Sequence, residues 1–142
     1  MGKRVKPEFI YIDTSALIAL FNSRDKNHKS AKNFLERAVL EGSLFVIGRP
    51  VLLEFINGAS KHKGKKVALK LRKSIIKSKF IWIENEKESD WERAWSIFER
   101  FDDHDGMDLT DCLSFAIMER LGIKKAFTYD ADFEIYGFER LP

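Results

Sequence analysis

At 142 residues the chain is long enough for one domain, 1–142, with a sizeable core, and too short for two catalytic modules. A hydrophobic fraction of 44% beside 33% charged residues excludes a disordered chain, a collagen-like rod and a coiled coil, while a net charge of +3 is too small to name a partner. Cys112 is the only cysteine, which rules out an internal disulfide, and His28, His62 and His104 lack the spacing of a zinc site, so a cytoplasmic protein is expected. No membrane association is expected either: the longest apolar stretch, Phe9 to Phe21, is broken by Asp13 and falls short of the about 20 residues that span a bilayer. The basic start, Met1 to Pro7, is followed by no small-residue cleavage site.

In chain order, Phe9 to Ile12 is apolar without alternation and predicts a buried strand ending at Asp13. Asp13 then either caps a helix beginning near Ser15 or stands as a functional acid at the end of the strand. A helix follows, with Ala31, Phe34, Leu35, Ala38 and Val39 on one face, Asn27 as its N-cap and Gly42 as its stop. Leu44 to Ile47 predicts a second buried strand. After it, Pro50 opens a helix in which Glu54 is the lone acid among Val51, Leu52, Leu53, Phe55 and Ile56. Those neighbours leave little room for an exposed stripe, and a buried carboxylate is costly unless paired or bound to metal.

Phe80 to Ile83 predicts a third buried strand. Trp91, Ala94, Trp95, Phe98 and Phe101 then mark a helix whose aromatic stripe is expected to face the core, behind a capping box at Ser89 to Glu92. Another helix follows Asp108, carries Leu109, Cys112, Leu113, Ala116, Ile117 and Leu121, and stops at Gly122. Asp111 sits in its first turn, where the helix dipole favours any acid, but it is followed at once by apolar residues and is expected to face inward. Ala126 to Tyr129 predicts the last strand, ending at Asp130 as the first ends at Asp13, with Asp132 as a rival claimant.

Strands alternating with helices imply a parallel sheet covered on both faces, and ligands of such sheets sit beyond the carboxyl ends of the strands. Four acids from separate parts of the chain, Asp13, Glu54, Asp111 and Asp130, converge there in this reading. Clustered carboxylates repel one another and hold protons towards neutrality unless a cation lies among them. Hard oxygen donors suit Mg²⁺ or Mn²⁺, ions that activate water and stabilise charge in phosphate ester chemistry. No Ser/His/Asp or Cys/His arrangement offers a nucleophile. An aspartyl-phosphate enzyme is disfavoured because Ser15 stands two residues after Asp13, where such sites commonly place a second acid.

Taken together, Asp13-Thr14-Ser15-Ala16-Leu17, the helix-borne Glu54, Leu109-Thr110-Asp111-Cys112-Leu113-Ser114-Phe115-Ala116 and Phe127-Thr128-Tyr129-Asp130-Ala131-Asp132-Phe133 resemble the PIN domain, in particular the VapC-type toxin nucleases. The resemblance spans nearly the whole chain. It implies an α/β fold, three layers α/β/α around a central parallel β-sheet, and a metal-dependent endoribonuclease that cleaves RNA phosphodiester bonds. It further implies a homodimer and inhibition by a small antitoxin protein. On this likeness Asp13, Glu54, Asp111 and Asp130 are the Mg²⁺ or Mn²⁺ ligands and catalytic acids, and Thr14 and Thr110 support them by bonding carboxylates or metal waters. Asp108 stands where many relatives carry a small polar residue, so it either alters metal affinity or caps its helix. The alternative is a PIN-type RNA-binding scaffold with little cleavage, which has no need of Glu54 in an apolar helix.

Charge is unevenly spread. From Lys61 to Lys79 there are nine basic residues and no acid. Val67, Ala68, Leu71 and Ile75 form the buried stripe of a helix there, and Lys65, Lys66, Lys70 and Lys73 are either a surface for RNA phosphates or a solvated face. Should that face be inert, Lys3, Arg4 and Lys6, or Lys124 and Lys125 beside the acids, are the other basic paths. Glu84 to Asp111 carries eleven acids against three bases and is expected to face away from RNA or towards a basic partner.

Overall fold

The computed structural model describes residues 6–142. Lys3 and Arg4 lie outside the described residues. Five strands form one all-parallel sheet: β1 (Phe9–Ile12), β2 (Leu44–Gly48), β3 (Ile81–Glu84), β4 (Lys125–Phe127) and β5 (Glu139–Leu141), in the order β3-β2-β1-β4-β5. The order reverses at β1, so the crevice beyond the carboxyl end of β1, between β2 and β4, is the place where such a sheet accepts a ligand. Among the described residues seven helices supply the crossovers that parallel pairing requires: α1 (Thr14–Phe21), α2 (His28–Leu40), α3 (Arg49–Lys63), α4 (Lys65–Lys77), α5 (Glu88–Arg100), α6 (Leu109–Leu121) and α7 (Asp132–Tyr136). None of the described helices is long and apolar enough to cross a membrane.

The sheet's central strands are buried because they are apolar on both faces. Ile10, Tyr11, Ile12, Phe45, Val46, Ile47, Ala126 and Phe127 are nearly inaccessible, and Phe115 of α6 packs edge-on against Phe133 and face-on against Tyr136. Glycine ends two helices as expected: Gly42 follows α2 at φ 85° and Gly122 caps α6 at φ 70°. Pro50 lies in the first turn of α3.

Several expectations need correction. β3 is an edge strand, so Trp82 is 63% exposed and no residue of this strand is fully buried. Trp91, Trp95 and Phe98 stand on the outside of α5, at 40%, 54% and 41% exposure, instead of in the core. The inner face of α5 is Asp90, Ala94 and Ile97, small enough to let α5 lie close on α6. Asp90 is tolerated there because Arg120 of α6 forks onto both of its oxygens, at 2.9 and 3.1 Å from Nε, and reaches Glu84 as well. α5 is capped at Lys87, two residues before the proposed Ser89 cap, and its cap bond runs from the Lys87 amide to the Asp90 carboxylate at 2.8 Å. Asn27 precedes α2 without capping it through its side chain. Lys124 and Lys125 lie at the start of β4, the opposite edge of the sheet from the strand ends that carry the acids, and Lys125 pairs with Glu8 and Glu139.

Candidate active site

Asp13 follows β1 directly and is 7% exposed. It caps α1, accepting the Ser15 amide at 3.4 Å, and the same carboxylate lies on the floor of the crevice. The Ser15 hydroxyl donates to Asp13 Oδ2 at 2.9 Å and the Thr128 hydroxyl to the same oxygen at 3.0 Å. Ser15 Oγ also accepts the Tyr129 amide, and Thr128 Oγ1 accepts the Asp130 amide, so these two hydroxyls stitch the end of β1 to the turn after β4. Sequence reasoning named Thr14 and Thr110 as supports and missed Ser15 and Thr128. The available signal was position: Thr128 is the residue immediately after β4, level with Asp13 after β1. Asp130 lies two residues further on, in the turn before α7, and does not occupy the strand-end position expected of it.

Asp111 and Asp108 cap α6 reciprocally. Asp108 Oδ1 accepts the Asp111 amide at 2.9 Å, and Asp111 Oδ2 accepts the Asp108 amide at 3.2 Å. The turn after β4 brings in two more acids: one oxygen each from Asp111, Asp130 and Asp132 lies within 4.8 Å of the others. Asp132, 9% exposed, is held by the His104 ring at 2.7 Å, and its own amide donates to Asp130 Oδ1 at 2.9 Å. Glu54 departs from expectation: its helix does have an open stripe, on which Leu53 is 62% exposed and Glu54 is exposed at the rim of the crevice.

The electrostatics agree with the geometry. Burial pushes Asp111 up to about 8, reinforced by the charges of Asp108, Asp13 and Asp130. Burial likewise raises Asp13 despite its hydroxyl partners. Glu54 is raised by partial burial and by the charges of Asp108 and Asp13, and Asp130 by burial and by Asp132 and Asp108. Asp111, Glu54 and Asp130 therefore each sense acids from distant parts of the chain. Thr14 and Thr110 lie near Glu54 and ease its rise, yet Thr14 Oγ1 is buried and completes no hydrogen bond. A set of hard oxygens held in mutual repulsion, with one orphaned buried hydroxyl beside it, fits a divalent cation and its water.

A family model described as PIN domain matches residues 10–139. The chain belongs to the PIN domain family. It is 30% identical over 131 residues to the 23S rRNA-specific endonuclease VapC20 of Mycobacterium tuberculosis, covering 91% of this chain and 95% of that protein, which places it with the VapC-type members. The crystal structure of M. tuberculosis VapC20, described as a toxin cleaving the sarcin-ricin loop, superposes with a TM-score of 0.80 at 27% identity over 91% of this chain and 95% of that one. The same fold recurs at 16% identity and a TM-score of 0.70 in VapBC2 from Rickettsia felis bound to a promoter DNA fragment, covering 94% of this chain and 99% of that one. This PIN domain has the expected parallel sheet between helices.

Beside the acids, a cavity of about 560 Å³ runs from Thr14 and Glu54 along Ile18, Phe21, Phe55 and Leu71. The basic residues Lys65, Lys66, Lys70 and Lys73 are all exposed on α4, whose inner residues Ala68 and Ile75 are buried.

Proposed function

We propose that the chain, as one nuclease domain, is a Mg²⁺- or Mn²⁺-dependent endoribonuclease and the toxin of a toxin-antitoxin pair. The observation that carries this reading is the cluster of Asp111, Asp130 and Asp132, with the charge of Asp13 acting on Asp111 and on Glu54 at the rim, at the switch point of the sheet in a PIN domain similar to a 23S rRNA-specific endonuclease. Asp13, Glu54, Asp111 and Asp130 hold the cation in this reading. Asp132 is the supporting acid, because His104 already engages it. When bound, the metal supplies an acidified water and stabilises charge on the phosphoryl oxygens.

The chain's own residues do the rest. Ser15 and Thr128 fix Asp13 by its Oδ2 and leave Oδ1 as the donor for the cation. Thr14 offers its unused hydroxyl to a metal water or to Glu54, and Thr110 lies close enough to Glu54 to support it. Lys65, Lys66, Lys70 and Lys73 contact RNA phosphates and supply the part of affinity that ignores sequence. A small antitoxin protein is the partner that holds the nuclease inactive, as expected from its likeness to chains of toxin-antitoxin complexes. A homodimer of cytoplasmic location completes the proposal. A scaffold without cleavage has no use for the repelling acid set.

Purified protein with Mn²⁺ is expected to cut RNA, with the sarcin-ricin loop as the first substrate to try, and to stop when EDTA is added. Persistent cleavage in excess EDTA, with an Asp13→Asn preparation silent, would overturn the metal assignment.

A further inference from the structure

We infer that the Tyr11 hydroxyl is a positioning device that sets the spacing of the acids: through Ser114 and Gly48 it joins the three elements on which Asp13, Asp111 and Glu54 are carried. Tyr11 lies in the middle of the sheet and is wholly buried, where phenylalanine would fill the same space without a polar atom to satisfy. Its hydroxyl instead donates to Ser114 Oγ at 2.8 Å, a bond between residues 103 apart in sequence and buried at both ends. Tyr11 is two residues before Asp13, and Ser114 is three after Asp111 on the same helix. The bond therefore fixes α6 against β1 directly beneath the two acids.

Gly48 supplies the third element. It caps α3, six residues before Glu54, with φ −68° and ψ 141°, a conformation open to any residue. Glycine is required there by space: a methyl group would collide with the Tyr11 hydroxyl oxygen and crowd Ile117 Cδ1 at 3.2 Å. The start of α3 thus rests on the phenol oxygen itself. Buried, paired polar groups of this kind favour one arrangement of a core over its neighbours, and here the arrangement selected is the distance between acids. None of the three residues hydrogen-bonds to an acid of the cluster, so each acts through the acids that it places.

The inference rests on the metal reading above, and calorimetric titration with Mn²⁺ of wild type, Tyr11→Phe, Ser114→Ala and the double variant tests it. Each single variant is expected to keep its fold and to lose roughly tenfold in Mn²⁺ affinity, the scale of effects seen when groups behind metal ligands are removed. The double variant is expected to be no weaker than the weaker single, because one bond is being deleted. RNA cleavage should recover to within about twofold of wild type at saturating Mn²⁺, a defect in assembling the site and not in its chemistry. Tyr136→Phe, which deletes a hydroxyl that donates to Glu119 at 2.6 Å, is the control and should leave Mn²⁺ affinity unchanged. Unchanged affinity in Tyr11→Phe beside a normal wild-type titration would overturn this inference alone. Failure of the wild-type chain to bind Mn²⁺ would overturn the inference and the metal reading together.

Discussion

The floor and the rim of the crevice hold the same kind of side chain under opposite constraints. Asp13, on the floor, is buried and gathers two hydroxyls and an amide on one oxygen, so its position is set by the fold before any ligand arrives. Glu54 and Asp108, at the rim, are exposed, and the carboxylate of Glu54 is raised partly by the charges of the other two. Three donors on one oxygen hold Asp13 in place without a cation, whereas Asp108 has a single amide donor and Glu54 only the nearby Thr14 and Thr110 hydroxyls to set against the neighbouring acids. Preorganisation in this site therefore belongs to the floor and adaptability to the rim.

The largest effect that would break this contrast comes from the floor. Asp13→Asn and Asp111→Asn are each expected to lower RNA cleavage by at least about a hundredfold, since each removes charge from the cation's seat. The same substitutions should raise the melting temperature of the metal-free protein near pH 8, because they relieve a carboxylate that the fold prefers protonated. Glu54→Gln should lose as much cleavage with a smaller gain in thermal stability. Loss of stability in the floor variants, read by thermal unfolding in EDTA, would mean that the acids serve the fold instead of the cation.

pH sharpens the same point. The native Asp111 carboxyl, raised to about 8, binds a proton that the unfolded chain has already released above its ordinary value near 4. Between those values the folded state holds more protons, so the metal-free protein is expected to lose stability as pH rises from about 4 to about 8. Mn²⁺ affinity should climb over the same window as the proton is displaced. Denaturant unfolding at several pH values, with EDTA or Mn²⁺, checks both slopes.

Smaller effects separate the two acids of the turn before α7. Asp130→Asn is expected to reduce cleavage more than Asp132→Asn, because Asp132 is engaged by His104. The reverse order in steady-state assays would exchange their roles. The smallest expected change concerns chemistry least: replacing Lys65, Lys66, Lys70 and Lys73 by Gln should leave Mn²⁺ affinity intact while weakening RNA binding by an Asp13→Asn background and flattening its salt dependence, by about 0.7 per lost contact for single strands. An unchanged slope across a salt series would make α4 a solvated face.

Much of this arrangement is legible in the sequence, and the failures have physical causes. Buried strands announce themselves through unbroken apolar runs, so β1 and β2 and the acid after β1 are visible, as is the helix opened by Asp108 and stopped by Gly122. β5 is invisible because Glu139, Arg140 and Leu141 carry an edge strand's mixed chemistry, and α7 is too short for a helical period to show. The aromatic stripe of α5 misleads because periodicity reports that a helix has two faces and not which one is inside; the burial of Asp90 depends on Arg120, thirty residues away. The apolar neighbours of Glu54 suggest burial, yet its stripe is open, since Leu53 beside it is exposed too. Of the two supports of Asp13, Thr128 is hidden from the sequence because it meets the acid only after the chain has crossed the sheet, whereas Ser15 stands two residues on, within reach of a local reading.

The outward placement of the aromatic residues gives the molecule an optical consequence. All three tryptophans, Trp82, Trp91 and Trp95, lie on β3 and α5, and all are open to solvent. Their fluorescence is accordingly expected to be red and quenched by acrylamide even in the folded state, and to respond little to metal entering the crevice. A macromolecule that covers the outer face of α5 would shift that emission to the blue, so the protein carries a built-in dye for one surface and is nearly dark at its active site.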